Sequence, residues 1–96
     1  MLNSRQRAQL RGMANGIETI LHVGKTGVTD QVIKQADDAL EKRELIKGRA
    51  LETCPTTARE TAEVVATAVG ADVVQVIGSR FVLYRASREK NIKLVK

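Results

Sequence analysis

A short loop with a glycine at each end joins a strand-like segment to a helix-like segment. The loop is Gly24-Lys25-Thr26-Gly27, and Ile20, Leu21 and Val23 precede it. Apolar residues at helical spacing follow it, namely Val32, Ile33, Ala36 and Leu40. Such a G-x-x-G junction constrains the fold because it places the amino end of a helix beside the carboxyl end of a strand. Glycine accepts positive φ and lets another backbone approach closely, so the sequence predicts a tight corner here.

The chemistry of this loop suits a phosphate group. The first amides of the following helix lack partners within the helix, and the helix dipole makes that end electropositive. Lys25 adds a positive charge and Thr26 a hydroxyl donor. A nucleotide-binding P-loop is excluded, because its first glycine would stand at position 19, which is Thr19. Two interpretations remain: a tight turn whose glycines serve geometry alone, and a clamp for a nucleic-acid backbone.

The distribution of charge favours an acidic polymer as the partner. The formal net charge is +5, and the sequence pI is about 9.8. Residues 1–16 carry three arginines and no acid, and residues 80–96 carry six cations against one acid, whereas residues 17–79 have a net charge of −3. Basic ends around an acidic centre predict a charged face. The alternative is an ordinary domain with solubilising cations.

Aromatic residues are nearly absent, since Phe81 and Tyr84 are the only two. Proteins that bind single strands by stacking bases need aromatic platforms, so recognition by this chain has to depend on phosphate contacts and shape. With 96 residues and 43% hydrophobic content, we expect one folded domain over residues 1–96.

Several classes of site are disfavoured by the residues available. One cysteine, Cys54, cannot form an intrachain disulfide, and one cysteine with one histidine, His22, cannot complete a metal site. His22 is interpreted as a half-buried strand residue rather than part of the clamp. No catalytic Ser/His/Asp set or positioned carboxylate pair is visible, so we expect no enzyme activity and no cofactor. No apolar run is typical of a signal peptide or membrane span, and we expect a cytoplasmic protein without a small-molecule substrate.

Periodicity predicts seven elements in the order helix, strand, helix, strand, helix, strand, strand. Their ranges are 4–16, 17–23, 29–43, 44–52, 57–69, 72–77 and 81–86. Strands that alternate with helices favour parallel pairing, and a final hairpin around Gly78-Ser79 adds an antiparallel pair. We therefore expect an α/β domain with a mixed sheet. In the predicted hairpin register, Val76 lies opposite Phe81, Val74 opposite Leu83, Gln75 opposite Val82 and Val73 opposite Tyr84.

The first helix and the second strand add candidate contacts. In the first helix we expect Ser4 as the cap, Gly16 as the stop, and one apolar face of Leu10, Met13, Ala14 and Ile17. Arg7 and Arg11 lie one turn apart beside that face, either as a solvated helix edge or as a basic ridge near the loop. In the second strand, alternation places Lys47 and Arg49 on one face.

The third helix and the C-terminal tail carry local signals as well. Thr57 and Glu60 form a capping box that opens the helix, and Gly70 is its stop. We expect a buried stripe of Ala58, Ala62, Val65, Ala66 and Val69. The tail, residues 87–96, is basic through residues that include Lys90, Lys93 and Lys96 but also holds Ile92, Leu94 and Val95, and we expect it to dock as a short extended segment.

Four motifs in order resemble the CRM domain (chloroplast RNA splicing and ribosome maturation), known in bacteria as the stand-alone YhbY family. They are the basic first helix, the loop with its sequel Val28-Thr29, the segment Glu44-Leu45-Ile46-Lys47, and the hairpin from Val74-Gln75-Val76-Ile77-Gly78 to Leu83-Tyr84-Arg85. The resemblance implies a four-stranded mixed sheet similar to the C-terminal domain of bacterial initiation factor three.

The resemblance also implies RNA binding and association with precursors of the large ribosomal subunit. Carried over by position, Gly24, Lys25, Thr26 and Gly27 form the clamp. The resemblance also implies Arg7 and Arg11 as flanking contacts. From the basic surface we further expect Lys47, Arg80 and Arg85 to extend the contact with RNA. We expect a non-enzymatic protein that binds ribosomal RNA during large-subunit assembly. The alternatives are an adaptor whose basic surface meets an acidic protein, and a duplex DNA-binding module.

Overall fold

A computed structural model describes residues 2–88 and 92–95 of the chain. Seven elements follow the predicted order. They are α1 (Ser4–Ala14), β1 (Thr19–Val23), α2 (Asp30–Arg43), β2 (Leu45–Ala50), α3 (Ala58–Val69), β3 (Asp72–Ile77) and β4 (Arg80–Tyr84). The four strands form one sheet in the order β1-β2-β4-β3. β1 and β2 are parallel, whereas β4 is antiparallel to both of its neighbours. The predicted α/β class with a mixed four-stranded sheet is confirmed.

The sheet is covered on both faces. α2 and α3 pack on one face, over a core that includes Leu21, Ile46 and Leu83. α1 packs on the other face, over Leu45, Val82 and Tyr84. Leu45 and Ile46 are adjacent in β2, so the period of two along a strand sends one side chain to each layer. The chain therefore builds two apolar clusters, one on each face of the sheet.

The local signals of α3 are confirmed. Thr57 and Glu60 form the predicted capping box, and Gly70 ends the helix with φ of 69° in the left-handed region. The predicted buried stripe of Ala58, Ala62, Val65, Ala66 and Val69 is buried. Small side chains at these positions let the helix approach the sheet closely.

The ends of α1 differ from the prediction. Asn3, not Ser4, is the N-cap, and it forms a capping box with Gln6. The helix ends at Ala14 with Asn15, rather than Gly16, as its C-cap, and Met13 is 41% exposed. Asn3 was missed because Asn and Ser are both good caps, and only the reciprocal bonds with Gln6 distinguish the two positions.

A β-bulge changes the predicted register of the final hairpin. Val76 lies opposite Phe81 and Gln75 opposite Val82, as predicted, but a shift between Val73 and Gln75 places Val73 opposite Leu83. The predicted pairs of Val74 with Leu83 and Val73 with Tyr84 are therefore wrong. Because of the bulge, Val73 packs towards α2 and α3, whereas Val74 packs towards α1.

The predicted docking of the C-terminal segment is confirmed for residues 92–95. Glu44, which follows α2, is fully buried and adopts φ of 66°. Its carboxylate accepts hydrogen bonds from Ser87 and, at 2.9 Å, from the amide of Ile92. Gln9 of α1 pairs with the backbone of Lys93 and Val95. The predicted basic tail residues Lys90 and Lys96 lie outside the described residues.

Gly48 of β2 lies directly opposite Phe81 of β4. A Cβ at position 48 would stand 2.4 Å from Cζ of the Phe81 ring, and Phe81 is only 1% exposed. The ring therefore occupies the space that a side chain on β2 would need. This close approach requires glycine at position 48.

We expect Gly48→Ala to lower the free energy of unfolding by about 1–3 kcal/mol, because the added methyl group displaces a buried ring. Urea denaturation followed by circular dichroism measures the change. Gly12→Ala is the matched control, since nothing lies within 4 Å of a Cβ there and the change should stabilise α1 by about 0.5–1 kcal/mol. Equal effects of the two changes would contradict this account of Gly48.

Candidate nucleic-acid interface

The G-x-x-G loop is a tight turn with an exposed tip. The amide of Gly27 donates to the carbonyl of Gly24 at 2.9 Å, and Lys25 and Thr26 between them are exposed. Gly27 is buried with φ of 68°, and a Cβ there would lie 3.3 Å from Cγ of Pro55. Glycine is required at this position by both its backbone angle and its neighbour. The two tip residues are thus presented to solvent on a well-supported turn.

The start of α2 contributes less positive potential than the sequence predicts. Thr29 is the N-cap, and its hydroxyl accepts from the amide of Val32 at 3.2 Å. One of the unpaired amides is therefore already satisfied, and Asp30 adds a negative charge to the first turn. Any anion at this corner would depend mainly on Lys25 and on the amides of the loop tip.

A row of side chains crosses the sheet beside this loop, on the face that carries α1. His22 pairs with Arg49, Arg49 pairs with Arg80, and Arg80 pairs with Ile77. β1 and β2 are parallel, so their carboxyl ends share one edge of the sheet. Residues 24–27 leave that same edge directly after β1. The fold thus brings the predicted contacts Lys25 and Arg80 to one edge.

Arg49 and Arg80 form a cross-strand pair of like charges. Both are exposed, and within the described residues neither makes an ion pair with a carboxylate. Like charges directly opposite each other destabilise a sheet, whereas an anion between them would remove the repulsion. Arg49 was not among the predicted contacts, although its alternation with Lys47 was the signal that could have found it.

Lys47 lies two residues before Arg49 on the same face of β2, and it is half-buried in a groove between the end of α1 and the sheet. His22 is exposed, so the expectation of a half-buried histidine is wrong. It occupies the outer end of the row on edge strand β1, where α1 does not cover it.

Arg7 of α1 does not lie near the loop. Arg7 donates from Nη1 to the carbonyl of Val73 at 2.6 Å, at the beginning of β3 and therefore at the opposite edge from the loop. Arg11 is exposed one turn closer to Asn15. The predicted ridge next to the loop is not formed by Arg7, because tertiary packing draws its guanidinium towards β3.

Arg85 makes internal contacts. Its Nη1 lies 2.6 Å from Oδ1 of Asp37 and donates to the carbonyl of Val69 at 2.8 Å. Its side chain is 20% exposed. These bonds fasten the end of β4 to α2 and α3, so a contact between Arg85 and RNA would have to compete with them.

Cys54 lies in the segment that packs beneath the loop. Partial burial raises the pKa of its thiol, but hydrogen bonds from Thr56 and Thr61 outweigh that effect and leave the pKa below its ordinary value.

The described residues contain no group of three or more His, Cys, Asp or Glu that could hold a metal ion. Within residues 2–88 and 92–95, no helix is long and apolar enough to span a membrane.

Comparison with known families assigns the domain. The family model of the CRS1/YhbY (CRM) domain matches residues 2–85. The chain belongs to the CRM domain family. Its loop and its basic sheet edge both lie within the matched region.

Relatives of this CRM domain carry related names. It is 42% identical to "Probable RNA-binding protein YqeI" of Bacillus subtilis, over 98% of this chain and 99% of that one. It is 31% identical to a protein of Haemophilus influenzae named "RNA-binding protein", over 97% and 94% of the two chains. The solution structure of SAV1595 from Staphylococcus aureus, a protein proposed to bind RNA, superposes with a TM-score of 0.82 at 43% identity. That match covers 99% of this CRM domain and 100% of SAV1595.

We expect Arg85→Gln to lower the free energy of unfolding by about 1–3 kcal/mol, because it removes charge-assisted bonds to Asp37 and Val69. Arg80→Gln should change it by no more than about 0.5 kcal/mol, because Arg80 is exposed and faces another arginine. Urea unfolding of both variants measures the difference. A similar loss in the two variants would show that the internal contacts of Arg85 do not contribute to stability.

Proposed function

We propose that this CRM domain is a non-enzymatic RNA-binding protein that grips the sugar–phosphate backbone at one edge of its sheet. The loop tip supplies Lys25 and backbone amides, and the cross-strand pair Arg49 and Arg80 supplies two guanidinium groups. Lys47 extends the contact along β2. The names of the curated relatives point to RNA as the ligand.

One observation carries this proposal: two arginines lie side by side on paired strands with no acidic partner among the described residues. Such a pair lowers the stability of the sheet when no counter-charge lies between the two groups. A phosphate accepts hydrogen bonds from arginine in a bidentate manner, so a polyphosphate backbone offsets the repulsion. They lie at the same edge of the sheet as the exposed loop-tip residues Lys25 and Thr26, so three cations are available there to one RNA backbone.

We further propose ribosomal RNA, in precursors of the large subunit, as the RNA that is bound in the cytoplasm. The resemblance to the ribosome-maturation family supports this choice. Crosslinking in cells, followed by sequencing of the attached RNA, tests it directly. Enrichment of large-subunit ribosomal RNA is expected, whereas a partner that survives ribonuclease treatment would favour the protein-adaptor alternative.

RNA affinity should depend strongly on salt, because few aromatic residues are available for stacking. If about five phosphates are neutralised, a plot of the logarithm of the binding constant against the logarithm of the salt concentration should have a slope of about −3.5 for single-stranded RNA. Fluorescence anisotropy at several salt concentrations measures the slope.

The double change Arg49→Gln and Arg80→Gln should make that slope shallower by about 1.4, or about 0.7 for each lost cation. The double change Lys42→Gln and Arg43→Gln is the charge-matched control, since both cations lie in the last turn of α2, away from the loop. Binding that does not depend on salt, or a change in slope in the control as large as that in the Arg49 and Arg80 variant, would refute the phosphate-based account.

Gly27→Ala should weaken RNA binding several-fold, because a residue with φ of 68° and a crowded Cβ cannot keep the turn. Gly70→Ala is the matched control. Gly70 has nearly the same φ, 69°, with nothing within 4 Å of a Cβ, and it lies after α3 at the other edge of the sheet.

Both changes should destabilise the fold by about 1–2 kcal/mol, as measured by thermal unfolding, but only Gly27→Ala should reduce affinity in the anisotropy assay. Equal RNA affinity for the two variants would show that the loop has a structural role alone.

A further inference from the structure

We propose that the groove between the end of α1 and the sheet is a pocket for one unpaired nucleobase of the bound RNA. This inference rests on the proposed function and deepens it, because it adds a site that contacts a base to a surface that contacts phosphates. The groove has a volume of about 210 Å³. It lies on the α1 face of the sheet, beside the row that contains Arg49 and Arg80.

The position of the groove follows from the incomplete cover that α1 provides. α1 ends at Ala14, and its side chains cover Leu45, Val82 and Tyr84. Beyond the helix end, the same face of β2, β4 and β3 stays open. The groove is lined there by Asn15, Lys47, Gln75, Ile77, Arg80 and Val82, among others. Side chains of three strands and one helix end therefore converge on one open site.

Two amide side chains give the groove the groups that read a base. Each primary amide offers an acceptor oxygen and two N–H donors, which is the pattern that Asn and Gln use to pair with the edge of a base. Within the described residues, the side chains of Gln75 and Asn15 form no hydrogen bond with the protein. Gln75 is half-buried and Asn15 is exposed, so both groups are available to a ligand.

The remaining lining residues suit a planar base flanked by phosphates. Ile77 is 64% exposed, and its apolar side chain can cover the face of a base where an aromatic residue would normally stack. Lys47 and Arg80 place two cations in the same groove. Apolar contact, amide groups and cations together match a nucleotide better than they match an apolar small molecule.

The groove and the G-x-x-G loop can be reached by one RNA segment. Strands of a sheet lie about 4.8 Å apart, so β1 and β3, at the two sides of this four-stranded sheet, are separated by about 14 Å. A stacked strand advances about 3.4 Å per nucleotide, so about four nucleotides span the distance. The loop would hold the backbone at one end of this segment, while the groove receives a base at the other.

The experiment compares three eight-residue oligoribonucleotides of adenosine, uridine and cytidine with an abasic ribose–phosphate oligomer of equal length. Removal of the bases leaves the phosphate charge unchanged, so the comparison isolates the base contacts. The variants are Gln75→Ala and Asn15→Ala, with Gln35→Ala as a control that removes an exposed amide on α2. Thermal unfolding shows which variants fold.

We expect the wild-type protein to bind at least one base-bearing oligomer more tightly than the abasic oligomer. Gln75→Ala should weaken binding of that base-bearing oligomer by about five- to tenfold and leave the affinity for the abasic oligomer unchanged. Asn15→Ala should act in the same direction, and it keeps the test decisive if Gln75→Ala does not fold. The side-chain amide NMR signals of Gln75 and Asn15 should shift with the base-bearing oligomer only.

Three results would overturn the inference, and they can be told apart. If base-bearing and abasic oligomers bind equally and both bindings require Lys25 and Arg80, the domain binds RNA but the groove is not a base pocket. If the wild-type protein binds neither kind of oligomer, the proposed function itself fails and the pocket fails with it. An effect of Gln35→Ala equal to that of Gln75→Ala would likewise contradict the assignment.

Discussion

Phe81 packs into the space left by Gly48 on the neighbouring strand, and this contact sets the register between the two central strands. Because β2 and β4 are locked there, Lys47 lies opposite Val82 and Arg49 opposite Arg80. A slip of one residue would exchange the two faces of each strand, burying arginines and exposing core residues. The cationic edge is thus a consequence of the same contact that organises the core.

That edge brings several exposed groups together. Two arginines face each other across strands, a large apolar side chain is exposed beside them, and a lysine stands on the tip of a tight turn. Arg85, by contrast, has acceptors from both α2 and α3. Hydrogen-bond acceptors within the protein therefore distinguish arginines that hold the fold together from arginines that remain available to an anion. The sequence alone does not distinguish the two kinds.

Much of the fold was predictable because its signals are local. The capping box at Thr57 and Glu60, the glycine after α3 and the period of the apolar residues depend on neighbours within four positions. The bulge in β3 was not predictable, since consecutive valines at 73 and 74 fit either face equally well. The need for glycine in the G-x-x-G loop could be predicted from the local sequence. The packing of Pro55 against Gly27 could not, because it joins segments that are distant in the chain. The place of Arg7 and the exposure of His22 likewise depend on how the helix and edge strand pack.

The sequence by itself determined the order of helices and strands, the two-glycine turn and the excess of positive charge, because each depends on residue type and short spacing. Only the tertiary structure decided which cations meet at one edge, which are taken up by internal acceptors, and where the end of α1 leaves the sheet uncovered. These outcomes depend on pairing between strands far apart in the chain. Such pairing follows from the balance of burial over the whole core, which no short stretch of sequence contains.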